Sequence, residues 1–326
     1  MERIKEILEK EKYFLLATHV NPDADGLSSM LAMTLALREQ GKEALPVVEE
    51  SPPVFLDFLH GFEDLRFPED CRQEKFPLKE AVALVFDLSE AHRLGRVAEL
   101  VKETRECVIL DHHAVSGSSL AGVKLIDPEA SATTLLVMRV LESLKWPISA
   151  KVAENLYVGL YSDTGGFRFE NTREETFLAA ARLVRLGARP TFAGEKLLEN
   201  YPPARFELLK IVLERREVLA GGRGVISYLT LEDFQRLGAG PEEAADFATF
   251  LRSMRGVEIS ALVKESRPGE IGVSLRSRGA INVAELAFQE GGGGHLRAAG
   301  FKKEGTTIEE VLALVRNKIF RVLGGG

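Results

Sequence analysis

The chain has 326 residues, 45% hydrophobic and 28% charged, which excludes a disordered chain and, at about 150 residues per domain, leaves room for two cores. Its 42 basic and 49 acidic groups give a net charge of −7, without the overall basic footprint of a non-specific duplex binder. Two cysteines, Cys71 and Cys107, are too few for a disulfide framework. The longest apolar runs are too short to span a bilayer, and the start, MERIKEILEKEK, lacks a signal peptide's apolar stretch, so a cytoplasmic location without membrane contact is expected.

Residues 13–17, YFLLA, form an apolar run ending in the polar stretch THVNPDADG, a buried strand followed by a loop. From Gly26 to Gln40 the pattern is helical, and Gly41 supplies a stop. AVALVFD at 81–87 and CVILD at 107–111 repeat the theme of an apolar strand closed by an aspartate. Helical patterns follow at 133–144 and 153–163. Alternating strands and helices predict a mostly parallel sheet covered on both faces, with its ligand crevice beyond the carboxyl ends of the strands.

Composition shifts between about 187 and 205, where GARPTFAGEKLLENYPPAR carries three prolines and two glycines, marking a boundary. The expected division is a first domain over 1–187, a linker over 188–204 and a second domain over 205–326. The second opens with a helix over 206–219, continues through β-rich segments at 224–231, 257–265 and 271–278 with a helix near 241–254, and closes with a helix at 307–323. Residues 1–200 hold 24 basic and 33 acidic groups, and 201–326 hold 18 and 16, so the two parts differ in charge.

Polar chemistry gathers at the expected strand ends. His19, Asp23 and Asp25 share one loop, Asp87 ends the next strand, and Asp111, His112 and His113 end another. One aspartate after a strand is more often a helix cap or turn residue than a ligand; the combination is the signal. Mixed carboxylate and imidazole donors suit Mn²⁺, Fe²⁺, Co²⁺ or Mg²⁺, and so many acids in one crevice imply more than one cation. In IGVSLRSRG, period two sets Ser274, Arg276 and Arg278 on the face opposite Ile271, Val273 and Leu275. GGGGH at 291–295 offers consecutive N–H groups to an anion. His60 and His92 read as exposed surface histidines, Trp146 as core, and Phe55, Phe58 and Phe62 as a small packing cluster.

HVNPDADG at 19–26, VFDLS around Asp87, LDHH at 110–113, DPEASATTLL at 127–136, YSDTGGFRF around Asp163 and GGGGHLRAAG at 291–300 together resemble the DHH phosphoesterases that carry a DHHA1 domain. The resemblance covers nearly the whole chain. It implies an α/β fold, with a mostly parallel DHH domain, a smaller α/β DHHA1 domain and an active site in the cleft between them.

It also implies two divalent cations, Mn²⁺ foremost, with Mg²⁺ or Co²⁺ as alternatives. One would be held by His19, Asp23 and Asp87, the other by Asp25, Asp87, His112 and Asp163. Asp87, His113 and Asp111 would be catalytic, with His113 near the phosphate and Asp111 orienting the histidines. Ser274, Arg276, Gly293, Gly294 and His295 would bind substrate.

The implied substrates are short oligoribonucleotides and pAp, with linear or cyclic dinucleotides such as pApA and c-di-AMP as the alternative; a homodimer stays open. A manganese pyrophosphatase shares the first motifs but has no such glycine-rich segment, and a processive exonuclease would need further domains. A silent nucleotide sensor would have no need of the full set of ligand residues.

Overall fold

The computed structural model describes residues 1–113 and 120–324, which divide into two units, Met1–Asn200 and Tyr201–Gly326. The first unit runs α1 (Glu2–Lys10), β1 (Tyr13–Ala17), α2 (Ala24–Glu39), β2 (Glu43–Val47), α3 (Pro68–Gln73), β3 (Val82–Phe86), α4 (Val97–Glu103), β4 (Glu106–Asp111), β5 (Val123–Ile126), α5 (Thr133–Ser143), α6 (Ala150–Asp163), α7 (Glu174–Arg185) and α8 (Pro190–Leu198). The five strands form an all-parallel sheet in the order β2-β1-β3-β4-β5. Strand order reverses between β1 and β3, the switch point where such sheets open a crevice at their carboxyl ends.

Side chains alternate across the sheet. Phe14, Leu16, Leu84, Phe86 and Leu110 pack into one core with α1, α2, α5 and α6. Leu15, Ala17, Ala83, Val85 and Ile109 pack into another with α3 and α4. Burial on both faces is why these strands read as continuous apolar runs. Cys71 is buried and Cys107 partly buried, both as free thiols; burial pushes Cys71 up to about 11 and Cys107 up to about 12.

The second unit contains α9 (Pro203–Glu214), β6 (Glu217–Leu219), β7 (Gly224–Leu229), α10 (Leu231–Leu237), α11 (Phe247–Arg252), β8 (Ile259–Arg267), β9 (Glu270–Ser277), α12 (Val283–Phe288), β10 (Gly293–His295), β11 (Ala298–Glu304) and α13 (Ile308–Val322). Its sheet is mixed, in the order β10-β11-β9-β8-β7-β6, with β7 and β8 parallel and the other pairs antiparallel. Helices α12 and α13 cover one face, and α9, α10 and α11 the other. Among the described residues no helix is long and apolar enough to cross a membrane.

Several elements differ from the expectation. The helix expected over 206–219 stops at Glu214, and Glu217–Leu219 become strand β6 paired with β7. The segment 188–204, expected as a linker, contains α8, started by Pro190 and anchored by fully buried Ala193 in the first core. The helix near 241–254 is a 3₁₀ turn, Pro241–Ala244, followed by the short α11. Proline inside EALPV hid β2, whose Pro46 sits on an edge strand, where an absent N–H is tolerated.

Two helical glycines contrast. A Cβ at Gly159 in α6 would lie 2.4 Å from Thr134 Cγ2 and 2.9 Å from Asp25 Oδ1, whereas one at Gly194 in α8 would meet only Tyr161 Oη at 3.8 Å. Helix propensity favours alanine by about 1 kcal/mol at either site, but overpacking costs about 1–3 kcal/mol. In chemical denaturation, Gly194→Ala should therefore stabilise the protein and Gly159→Ala destabilise it. Equal signs for the two would refute the close approach of α6 to the start of α5.

Candidate active site

The switch-point crevice gathers the strand-end residues. Asp87 follows β3 with a left-handed backbone, φ 62°, a conformation that costs a non-glycine residue about 1–3 kcal/mol and is found at functional sites. Its N–H still continues the sheet by donating to Leu110 O at 2.9 Å, so the turn comes after the last ladder bond and swings the carboxylate over the strand ends. That carboxylate is 1% exposed. Its Oδ2 lies 3.5 Å from His19 Nε2, and its Oδ1 lies 3.5 Å from His112 Nε2.

Three overlapping groups of ligand atoms result, His19–Asp23–Asp87, Asp25–His112–Asp163 and Asp87–His112–His113; the two oxygens of Asp87 face one each of the first two. Asp23 caps α2, accepting from Gly26 N at 3.0 Å, and its other oxygen lies 3.7 Å from His19 Nε2. A Cβ at residue 26 would stand 2.4 Å from Thr18 Oγ1, so only glycine lets the first turn of α2 lie against the end of β1. Asp25, within that turn, is buried against the start of α5. It accepts Thr133 N at 2.6 Å, Thr134 N at 3.0 Å and Thr134 Oγ1 at 2.8 Å. Thr133 Oγ1 donates to Asp87 Oδ1 at 2.8 Å. Asp163 ends α6, its Oδ2 3.6 Å from His112 Nε2 and 3.3 Å from Asn171 Nδ2.

The three histidines are held alike. His19 Nδ1 lies 2.8 Å from Val20 O, His112 Nδ1 3.3 Å from Ala130 O, and His113 Nδ1 2.9 Å from Asp111 Oδ1. Each acceptor fixes the proton on Nδ1. His19 and His112 thereby present Nε2 to the carboxylates, and buried His19 Nε2 has no hydrogen-bond partner, as an atom awaiting a cation would. His113 also comes within 3.6 Å of Asp87, but through Nδ1, whose proton is given to Asp111. The donor set of imidazole nitrogen and carboxylate oxygen fits Mn²⁺, Mg²⁺ or Co²⁺.

Electrostatics agree. Burial, then the charges of Asp87 and Asp163, push Asp25 well above the usual carboxylate range; burial, Asp87 and Asp23 raise Asp163 to about 7. His19 is pushed down by burial but pulled up further by Asp23 and Asp87, to about 10. Without cations the cluster holds protons instead, which bound cations would displace.

Comparison with known proteins gives the family. The profile of the DHH family, N-terminal domain, matches residues 14–160, and that of the DHHA1 domain matches 221–320. A bifunctional oligoribonuclease and PAP phosphatase of Thermus thermophilus is 33% identical over 98% of this chain and 95% of its own length. This chain is a DHH–DHHA1 phosphoesterase. A cyclic-di-AMP phosphodiesterase of Geobacillus thermodenitrificans is 25% identical over 99% of this chain and 49% of its own length. The crystal structure of an exopolyphosphatase-related protein from Bacteroides fragilis superposes with a TM-score of 0.91 at 25% identity, covering 99% of this chain and 97% of that one.

In the DHHA1 unit, Arg276 stands across from Ala298, which pairs with His295, and Ser274 across from Gly300, which pairs with Gly293. These rows put Ser274, Arg276 and His295 on one face of the sheet. Arg276 is pinned, its Nε donating to Thr249 Oγ1 at 3.2 Å and Nη1 to Leu275 O at 2.9 Å; burial and then Arg252 depress its pKa.

The glycine-rich run differs from the expectation. The N–H groups of Gly291 and Gly292 donate to Phe288 O and Ala287 O, closing α12, and Gly293–His295 form the exposed edge strand β10. The first two amides are thus spent within the fold. Gly294, at φ 137°, belongs to the row facing Ala299.

In the DHH unit His60 is not a free surface histidine: its Nε2 lies 2.9 Å from buried Glu154, which also binds Arg189. His92 is exposed as expected, and Trp146 packs partly buried against the first core. Phe58 packs edge-on against Phe192, while Phe55 is exposed.

Thr133 and Thr134, though inside the DPEASATTLL segment at 127–136, and Asn171 carry no role in the sequence analysis. Paired threonines at the start of an apolar helical pattern were the available signal, since hydroxyls and free amides there both seek acceptors.

The raised Asp163 gives a signed test on metal-free protein. Its folded-state value of about 7 exceeds the ordinary 3.8, so the stabilisation it gives is full below the ordinary value and is lost as pH rises through 7. Asp163→Asn should gain melting temperature relative to the parent between about pH 4.5 and about pH 7.5. An offset that stays constant across that range would show Asp163 unperturbed.

Proposed function

We propose that this DHH–DHHA1 protein hydrolyses short nucleotidic phosphate esters, removing the 3′-phosphate of pAp and degrading RNA oligomers of a few nucleotides, with two divalent cations, Mn²⁺ foremost. The observation that carries the reading is Asp87, one carboxylate offering separate oxygens to two ligand groups. His19 and Asp23 would complete one cation site, and Asp25, His112 and Asp163 the other. When bound, such ions supply a lowered pKa for the attacking water and positive charge against the phosphoryl oxygens.

The protein's own groups do the rest. Asp111 holds His113 by Nδ1 and by its backbone N–H, at 2.9 and 3.0 Å. With Nδ1 held by Asp111, Nε2 of His113 is the ring atom left to meet the phosphate; without cations, burial lowers the His113 pKa but Asp111 and Asp87 raise it by more. Asp87, Asp111 and His113 are the proposed catalytic residues. Ser274, Arg276 and His295, with Gly293 and Gly294 beside them, are the proposed substrate contacts, Arg276 pre-oriented by Thr249 so that little side-chain entropy is lost on binding a phosphate. The relative named as a cyclic-di-AMP phosphodiesterase supports a second reading, hydrolysis of linear or cyclic dinucleotides.

Initial rates with Mn²⁺ on pAp, a short RNA, pApA, c-di-AMP and pyrophosphate test this. Turnover of pAp and short RNA above the rest is the expected outcome; preference for pyrophosphate, or inertness toward every nucleotide, would overturn it. Asp87→Ala should lose about a thousandfold in kcat, the equivalent of about 4 kcal/mol. Arg276→Ala should raise KM about tenfold to a hundredfold, as for a lost charged hydrogen bond, with metal content by elemental analysis unchanged.

A further inference from the structure

We infer that Thr133 is the positioning residue that makes Asp87 a bridge, holding the ligands of both cation groups in register from the first turn of α5. The inference rests on the two-cation reading above and deepens it. Asp87 serves both groups only in one setting of its carboxylate plane, with Oδ2 toward His19 and Oδ1 toward His112. Oδ2 has His19 beside it, whereas the aim of Oδ1 at His112 needs a further hold, since the left-handed backbone fixes where the side chain starts but not how its plane lies. The 2.8 Å hydrogen bond from Thr133 Oγ1 to Oδ1 sets that plane.

The same residue's N–H donates to Asp25 Oδ2 at 2.6 Å. One residue therefore grips a carboxylate of each group: Asp87, shared by both, and Asp25, of the group with His112 and Asp163. Thr133 is fully buried, so water does not stand in for its hydroxyl, and its branched side chain has few rotamers. Thr134 adds two donors to the other oxygen of Asp25. Orientation of Asp25 is thus over-determined by backbone amides, while orientation of Asp87 by an uncharged donor rests on a single hydroxyl among the described residues.

That asymmetry predicts what a change at 133 does. Thr133→Val keeps the volume and both backbone amides but removes the hydroxyl; Thr133→Ser keeps the hydroxyl. Asp87 Oδ2 retains His19 as a neighbour, so the group with His19 and Asp23 should keep its cation. The group with His112 depends on Oδ1 and should suffer most.

The test is titration of metal-free full-length protein with Mn²⁺, following free Mn²⁺ by electron paramagnetic resonance, with melting temperatures recorded in parallel. Parent and Thr133→Ser should take up two tight equivalents. Thr133→Val should take up one at parental affinity and a second weakened about tenfold to a hundredfold, the usual cost of losing a group that orients a ligand. A purely structural role would lower melting temperature and weaken both equivalents together.

Two tight equivalents in Thr133→Val, equal weakening of both, or a Thr133→Ser that behaves like Thr133→Val would each overturn the inference while leaving the two-cation reading intact. One equivalent in the parent would overturn both.

Discussion

Repulsion among buried carboxylates governs the first unit. Asp25 and Asp87 are almost wholly buried, with Asp23 and Asp163 drawn into the same cluster. Two like charges 4 Å apart cost about 4 kcal/mol even at an effective dielectric of 20. The fold offsets that cost with donors supplied by backbone and neighbours: the first turn of α5 on Asp25, the Gly26 N–H on Asp23, the Thr133 hydroxyl on Asp87 and Asn171 on Asp163. The remainder would fall to the cations of the proposed function. Positions that look unrelated in sequence follow from it, including glycine at 26 and 159, where a side chain would push a helix away from the acids it serves.

Much of this was legible in the sequence because a buried parallel strand is apolar until it ends, and a charged residue at that point has only the crevice to enter. YFLLA before His19, VALVF before Asp87 and CVIL before Asp111 each mark a strand and a site residue in one stroke, and β1 has the expected bounds, Tyr13–Ala17. What was illegible is whatever depends on partners distant in the chain. Thr133 and Thr134 look like ordinary helix-start residues until Asp25, more than a hundred positions away, is seen to sit on them. Composition could not show that two amides of the glycine run are consumed in closing α12, nor that His60 meets Glu154. Local pattern carried the candidate ligands; tertiary packing carried the groups that aim them.

The two units solve different problems with similar means. The first must keep acids close and pays with a left-handed residue at Asp87 and a dense set of short-range donors. The second keeps a cation ready: Arg276 is partly buried with its guanidinium tied to a hydroxyl and a carbonyl and paired with no carboxylate in the described residues. A guanidinium so held is kept from collapsing onto a neighbouring acid.

The two thiols carry a consequence for experiment. A solvent-exposed cysteine of ordinary pKa, about 8.5, has roughly three hundred times more thiolate near neutral pH than one held at about 11, and Cys71 is held there by burial, with Cys107 higher still. Both are correspondingly slow toward maleimides and iodoacetamides. A cysteine introduced at an exposed position near the site, such as Phe169, would therefore take up a fluorophore or spin label almost alone. The native chain can serve as its own background for spectroscopy, with no cysteine-free variant to build first.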